Sequence, residues 1–183
     1  LCDRRQRQMC IRDRLLDQLL VTKPLTHRNE GENLDLSGEQ PVLSGSFNPG
    51  NGWQERKFDQ PVTGRYVCLE ALSAQDGKDL ACIAEMYLLD ENGERLSREP
   101  WIVNYADSED VSHVNCSADK IFDLQESTYW STTKDTPYPH SVVIDLGSTR
   151  TLTGIQYLPR MESEVPGGIK DFKVYVKSKA FNY

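Results

Sequence analysis

The chain has 183 residues, with 21 Lys and Arg against 28 Asp and Glu, a formal net charge of −7, and 38% hydrophobic residues. That length suits one domain of roughly 100–200 residues with a real core. The acidic balance excludes the broad basic face that DNA, RNA or an anionic membrane would need, and the absence of any run of about 18 apolar residues excludes a helical membrane span.

The first residues include Arg4-Arg-Gln-Arg7 and Met9-Cys-Ile-Arg-Asp13. The second string is the reading of ATG TGT ATA AGA GAC and resembles the conceptual translation of a transposase-type sequencing adapter. Residues 1–14 therefore read as non-native and are set aside, in preference to a basic helical start or a nucleic-acid arm. With them go Cys2, Cys10, five basic and two acidic residues, leaving 16 basic and 26 acidic residues and a formal charge of −10 over Leu15–Tyr183. Residues 15–41 read as a polar remnant or linker. Leu15–Val21 is apolar but short, and Thr22–Gln40 is rich in Asn, Glu and Gly.

From Val42 onward, short runs of Val, Ile, Tyr, Phe and Leu are broken by Gly, Pro, Asn and Asp at regular spacing, the pattern of an all-β domain. The predicted strands are 42–47, 54–58, 65–73, 81–89, 101–105, 141–146, 152–158 and 171–177. Turn signals stand at Pro49-Gly-Asn-Gly52, Gln75-Asp-Gly77, Asp90-Glu-Asn-Gly93 and Pro166-Gly-Gly168. Val142-Val-Ile-Asp-Leu146 is continuous, as expected of a strand covered on both faces. Asp171-Phe-Lys-Val-Tyr-Val176 alternates, as expected with one wet face. The sum is a β-sandwich or jelly roll. Cys68, Cys82 and Cys116 form no CxxC pair, so a zinc site has little support. Cys68 and Cys82 fall on two predicted strands and either pair or remain buried free thiols, which behave as small hydrophobes.

Several motifs recur together: Trp101, Asp123 with Thr128-Tyr-Trp130, Val142 to Asp145-Leu-Gly147, Gly64-Arg-Tyr-Val67 and Ile83-Ala-Glu85. Their spacing resembles the discoidin family, also called coagulation factor V/VIII type C domains, whose bacterial branch includes the family 32 carbohydrate-binding modules. The resemblance covers roughly residues 42–183 and implies a discoidin-like, galactose-binding-like β-sandwich. The order, however, is permuted. The Arg-Tyr-Val and Ala-Glu strands close the family's domain, yet here they precede the opening Trp101. Residues 42–90 then read as the closing half of one module, 91–98 as a linker, and 99–183 as the truncated opening half of a second. An internal echo agrees: Ser46-Phe-Asn48 after Leu43-Ser-Gly45 and Ala180-Phe-Asn182 after Val176-Lys-Ser-Lys179. The chain reads as a fragment of a longer tandem protein, and the permuted order lets two halves complete one sandwich.

The resemblance also implies a structural Ca²⁺ in the acidic loop, because hard cations collect carboxylate, hydroxyl and carbonyl oxygens. Asp123 and Thr128 would give side-chain oxygens, Gln125 and Ala84 carbonyls, and Glu85 a carboxylate. Leu124 stands where the family usually has Gly, and Leu would be strained there if the loop needs positive φ. The alternative is that Asp123 only caps the turn, with Thr128 bonding backbone.

Trp101 and Trp130 read as core. Tyr138, between two prolines, and Tyr129 read as nearer the surface, where an aromatic face can meet the apolar side of a sugar. His113, Asn115, His140 and Arg160 are candidate polar partners, with Glu162 or Glu164 nearby. Arg160 ranks first, because a planar donor fork bridges adjacent hydroxyls or a sugar carboxylate. Each of these has a solvated-loop alternative. No Gly-x-Ser-x-Gly, HExxH or P-loop motif appears, and no motif selects a pair of carboxylates for glycoside hydrolysis.

The expected function is therefore a non-catalytic carbohydrate-binding module. Its partners would be a glycan and a catalytic domain of the same polypeptide, not nucleic acid or membrane. The parent would be an extracellular or periplasmic bacterial glycoside hydrolase or a relative. A ligand-free spacer and a piece of a catalytic region are the competing readings.

Overall fold

The structure, a computed structural model, describes residues 33–162 and 164–183; the readings of residues 1–14 and of Leu15–Val21 lie outside them. Among the described residues eight strands follow in chain order: β1 Leu43–Ser46, β2 Gln54–Ala71, β3 Cys82–Ile83, β4 Glu85–Leu89, β5 Ile102–Ala106, β6 Trp130–Ser131, β7 His140–Leu158 and β8 Asp171–Lys177. A 3-10 turn, Ala118–Phe122, precedes the acidic loop. The large sheet runs β1-β8-β2-β7-β4, with β5 also on β7, and β3 pairs with β6 in a small second sheet.

Two long strands carry this architecture. Predicted strands 54–58 and 65–73 are one strand, and so are 141–146 and 152–158. The C-terminal half of β2 pairs with the N-terminal half of β7 (Tyr66↔Asp145 to Ala71↔His140), and their other halves pair from Gln54↔Tyr157 to Gly64↔Arg150. Register shifts fall between Lys57 and Val62 and between Gly64 and Tyr66. Pro61 lies within the first, where a residue lacking an N–H is tolerated. At Gly64 a Cβ would come within 2.5 Å of Val176 and 2.8 Å of the Lys177 carbonyl, so only glycine lets β8 pass this close.

The two layers enclose the main core. Phe47, Val67, Leu69, Val142, Ile144, Leu146 and Phe172 meet Met86, Leu88, Leu152, Ile155 and Tyr157 there. Phe47 stacks between Tyr157 (4.3 Å between centroids) and Phe172 (4.1 Å). A second cluster covers the outer face of β2, β7 and β8. Cys68, Val143, Tyr175, Tyr105 and Phe181 pack there with Leu34, Leu36 and Tyr183, and Asp35 bridges to Asn182. This outer cover explains why Val143, between the inward-facing Val142 and Ile144, is apolar and buried as well. It also buries Tyr175, on the side of β8 expected to be wet. The two echo motifs thus serve different clusters, Phe47 the main core and Phe181 the outer one. Cys68, Cys82 and Cys116 are free and buried.

Segments 42–90 and 99–183 share one sheet. Residues 91–98 make a tight return: Asp90 Oδ1 accepts from the amides of Asn92 (2.8 Å) and Glu94 (2.9 Å), Gly93 supplies a φ of 79°, and the Leu96 amide bonds Leu88 O at 2.9 Å.

The Asp-Leu-Gly motif is a structural lock. Arg65 grips Asp145 through two parallel bonds of 2.7 and 2.8 Å, and the Gly147 amide adds a third at 2.8 Å. Burial alone would raise the Asp145 carboxyl, but Arg65 and that amide outweigh it and hold it below the usual carboxylate value. A group with a depressed folded pKa stabilises the fold above its unfolded pKa and ceases to do so as pH falls. Asp145→Asn is expected to cost about 1.5–3 kcal/mol near neutral pH, the range for hydrogen bonds to a charged group. In urea unfolding the gap from wild type should close as pH falls through the depressed folded value of Asp145, where the wild-type carboxyl is neutral in both states; a gap independent of pH would contradict this role.

Candidate functional site

Two groups of predicted residues lie on neighbouring loops at the β3–β6 side of the sandwich. The first surrounds the acidic loop. Thr128 Oγ1 lies 2.7 Å from Asp123 Oδ2 and 3.0 Å from the Gln125 carbonyl. The Gln125 amide donates to Asp123 Oδ1 at 2.9 Å. Three of the five oxygen sources expected from the sequence are therefore gathered within contact of one another. Glu85, the first residue of β4, faces them: the Asp123 charge and the Gln125 amide both act on its carboxyl. Ala84 forms the break between β3 and β4, its amide held by Leu158 O at 2.9 Å.

Glu85 is 1% exposed. Its Oε2 pairs with Arg98, itself buried, while Oε1 is buried without a partner. Burial pushes its carboxyl up to about 7, against the opposing pull of Arg98. The donor chemistry thus fits a hard cation: carboxylates, a hydroxyl and a carbonyl, with one orphaned carboxylate oxygen. Among the described residues no group of three or more His, Cys, Asp or Glu could hold a metal, so such a site would lean on neutral oxygens. Two side-chain cations are already there. Lys120 Nζ is 3.5 Å from Asp123 Oδ2, and Arg98 also donates to Met86 O (3.1 Å) and to Tyr87 Oη (2.8 Å).

Leu124 has φ 68° and is 61% exposed. The loop therefore does require the left-handed conformation at the position where the family favours glycine, and Leu pays a steric penalty of about 1–2 kcal/mol there. Leu124→Gly relieves it but frees the unfolded chain by about 0.5–1 kcal/mol. The net expectation is a small gain, about 0.5–1 kcal/mol, read as a higher urea midpoint; a lower midpoint would mean the Leu side chain contributes packing.

The second group centres on Arg160, at the end of β7. Its guanidinium lies 4.1 Å from the Tyr129 ring centroid, a distance suited to cation–π attraction. Nη2 reaches Glu162, and Nε is buried without a partner. Cys116 and Cys82 line the floor; burial pushes the Cys82 thiol up to about 11, which keeps it protonated and unreactive at neutral pH. Tyr129 is half-buried just before β6, next to fully buried Trp130. The preceding loop, closed by the Asp110↔Cys116 bridge, exposes His113 and Asn115 as expected. It also exposes Val111 (58%) and Val114 (65%), apolar character that the sequence reading did not single out. Asn115 Oδ1 accepts from the Ser117 amide at 3.2 Å.

His140 and Tyr138 are placed differently from Arg160. His140 is fully buried, its Nδ1 2.7 Å from Asp107 Oδ2, and Asp107 Oδ1 also takes the Ser141 amide at 2.8 Å. A ligand in solvent does not reach that ring. Tyr138 donates its hydroxyl to Leu80 O and sets its ring edge-on to His140 at 4.6 Å. Both residues fasten the 133–140 loop. Trp101 and Trp130 are core, as expected, with Trp130 Nε1 donating to Ser108 O at 3.0 Å.

Comparison with known proteins bears on this half of the chain. The F5/8 type C domain family model matches residues 104–183, somewhat under half of the sequence. A sialidase of Micromonospora viridifaciens is 36% identical over 73 residues, 38% of this chain and 11% of that protein. A galactose oxidase of Gibberella zeae is 28% identical over 91 residues, 50% of this chain and 13% of that protein. The chain thus spans only a small part of the curated relatives it matches. The F5/8 type C, or discoidin, domain is a non-catalytic, carbohydrate-binding type of module. With its antiparallel β-sandwich and the Asp123–Trp130 and Asp145–Gly147 motifs in place, residues 104–183 match the F5/8 type C domain family model, in line with the resemblance read from the sequence.

Proposed function

We propose that this chain is a carbohydrate-binding module that holds an attached carbohydrate-active enzyme on its glycan, in a secreted or periplasmic bacterial setting. The observation that carries the reading is Arg160. A partly exposed guanidinium backed by the Tyr129 ring offers its remaining donors beside an aromatic face. His113, Asn115 and Glu162 lie in the adjoining loops as further polar contacts. The relatives' names, sialidase and galactose oxidase, point to sialylated and galactose-containing glycans as first candidates. Segments 42–90 and 99–183 act as one cooperative unit in this reading, and the domain works by raising local concentration, weakly per site and more strongly in repeats.

The acidic loop has a supporting role. Asp123, Thr128, Gln125, Glu85 and Ala84 would hold a Ca²⁺, which when bound supplies a fixed positive centre that ties the loop to β4. The chain's own residues orient that loop: Asp123 receives the Gln125 amide and Thr128 hydroxyl, and Trp53 Nε1 anchors Glu126 at 3.0 Å.

One observation favours the spacer reading: Arg160 already pairs with Glu162. Calorimetric titration of the whole chain with galactose-, fucose-, uronate- and sialic-acid-containing glycans separates the two. Saturable heat with one class supports the module; no heat with any class at about 10 mM, roughly −2.7 kcal/mol of affinity, supports the spacer. Glu85 does not revive a catalytic reading, because its raised carboxyl is sealed from solvent.

A further inference from the structure

The acidic loop carries its own cations, and this has a consequence for any metal it holds. Arg98 arrives by the tight return after β4, which brings a residue 13 positions on from Glu85 back against it. Its side chain is 3% exposed, and its guanidinium lies 3.7 Å from the Tyr87 ring centroid. Arg95 stacks on the same ring at 4.2 Å and on Trp53 at 4.5 Å. Arg98 is therefore fixed by packing and cannot swing aside as a surface lysine can. On the other side of the cradle Lys120 stands over Asp123 at 3.5 Å and Asp119 at 3.8 Å. The two carboxylates facing the cradle are thus each matched by a side-chain cation, yet Glu85 Oε1 remains buried and unpartnered.

Affinity for a hard divalent cation follows the charge count and rigidity of its ligands. Glu85, Asp123, Arg98 and Lys120 sum to zero formal charge. We propose that Arg98 and Lys120 are built-in counter-cations that compete with a divalent ion for this loop, keeping the fold intact without metal and setting metal affinity low. This rests on the reading that the loop takes Ca²⁺. Such a loop suits surroundings where Ca²⁺ stands near the millimolar level, the range of weak extracellular sites. Arg98 is a positioning residue here: it holds Glu85 by Oε2 and leaves only Oε1 to the metal.

The test is Ca²⁺ titration by calorimetry, with Tb³⁺ luminescence as a second probe, on the whole chain and on Lys120→Gln and Arg98→Met. Thermal melts in EDTA and in Ca²⁺ accompany it. Lys120→Gln, at a partly exposed site, leaves the fold sound and is expected to tighten Ca²⁺ about 5- to 10-fold. Arg98→Met is expected to melt earlier in EDTA, to recover in Ca²⁺, and to bind Ca²⁺ at least about tenfold tighter. Wild type that binds no Ca²⁺ while either variant binds supports the competition in its strongest form. Wild type that binds Ca²⁺ with both variants unchanged or weaker overturns the competition and leaves the Ca²⁺ reading standing. No binding by any of the three overturns both.

Discussion

Glu85→Ala is expected to lower the unfolding free energy by about 3–5 kcal/mol, the usual cost of stranding one member of a buried ion pair. The reason lies in what remains. Arg98 would keep Met86 O and the Tyr87 hydroxyl as acceptors, but its charge would lose its counter-ion at 3% exposure. Replacing both partners tests this cause, since an apolar pair of similar volume is often neutral or stabilising. Urea unfolding in EDTA should therefore show Glu85→Ala far below wild type and Glu85→Leu/Arg98→Met close to it. A single-variant loss under about 1 kcal/mol would mean that Arg98 reaches water or another acceptor. A pH signature accompanies the pair. Folding raises the Glu85 carboxyl from 4.5 to about 7, so between those values the folded state holds a proton the unfolded state has released. Its contribution therefore fades as pH rises from about 4.5 to 7, and Glu85→Gln should flatten that slope.

Arg160→Ala is expected to weaken glycan binding at least about 30-fold, roughly 2 kcal/mol, while the fold persists. A buried charge-assisted bond to a ligand contributes about 1.5–3 kcal/mol, and the side chain adds the stacked face it shares with Tyr129. Arg160→Lys should not restore affinity, because an ammonium offers neither the fork nor the flat contact. Tyr129→Leu should give an intermediate loss by removing the ring that orients the guanidinium. Titration with the best glycan, beside a thermal melt of each variant, checks the set. If Arg160→Ala binds as well as wild type, the ligand lies elsewhere on the loops, and Val111, His113 and Val114 become the next place to look.

The sandwich was legible because its short apolar runs are punctuated by turn residues, and the doubly covered strand because Val142–Leu146 has no polar alternation. The merger of strands was not. Pro61, Gly64 and Gly147 read locally as breaks, yet in the sheet they mark bulges and a close crossing that only a distant partner, Val176 or Pro100, makes necessary. The acidic loop could be read as a unit because Asp123, Gln125 and Thr128 lie within six residues, and the strain foreseen at Leu124 is there in its φ of 68°. In the sequence Arg98 belongs to the 91–98 linker. Nothing local ties it to Glu85; the link exists only once Leu96 pairs back onto Leu88. His140 looked like a loop histidine at a strand start, but its burial depends on Asp107 from the end of β5, 33 positions away. Conversely, Tyr129 gave a usable signal: it lies in the loop beside a tryptophan too large to leave the core.

The pairing of β2 with β7 also dictates how the chain must come into being. Thr63 and Thr151 touch across a separation of 88 positions. At a ribosomal pace of about 5–20 residues per second, β2 emerges on the order of 5–20 s before the strand that completes it. For that interval Val67-Cys-Leu69 is a nascent hydrophobic edge, the kind that recruits other chains. Loop closure on this scale is slow, so yield in a cell would depend on whatever shelters that edge while the ribosome finishes.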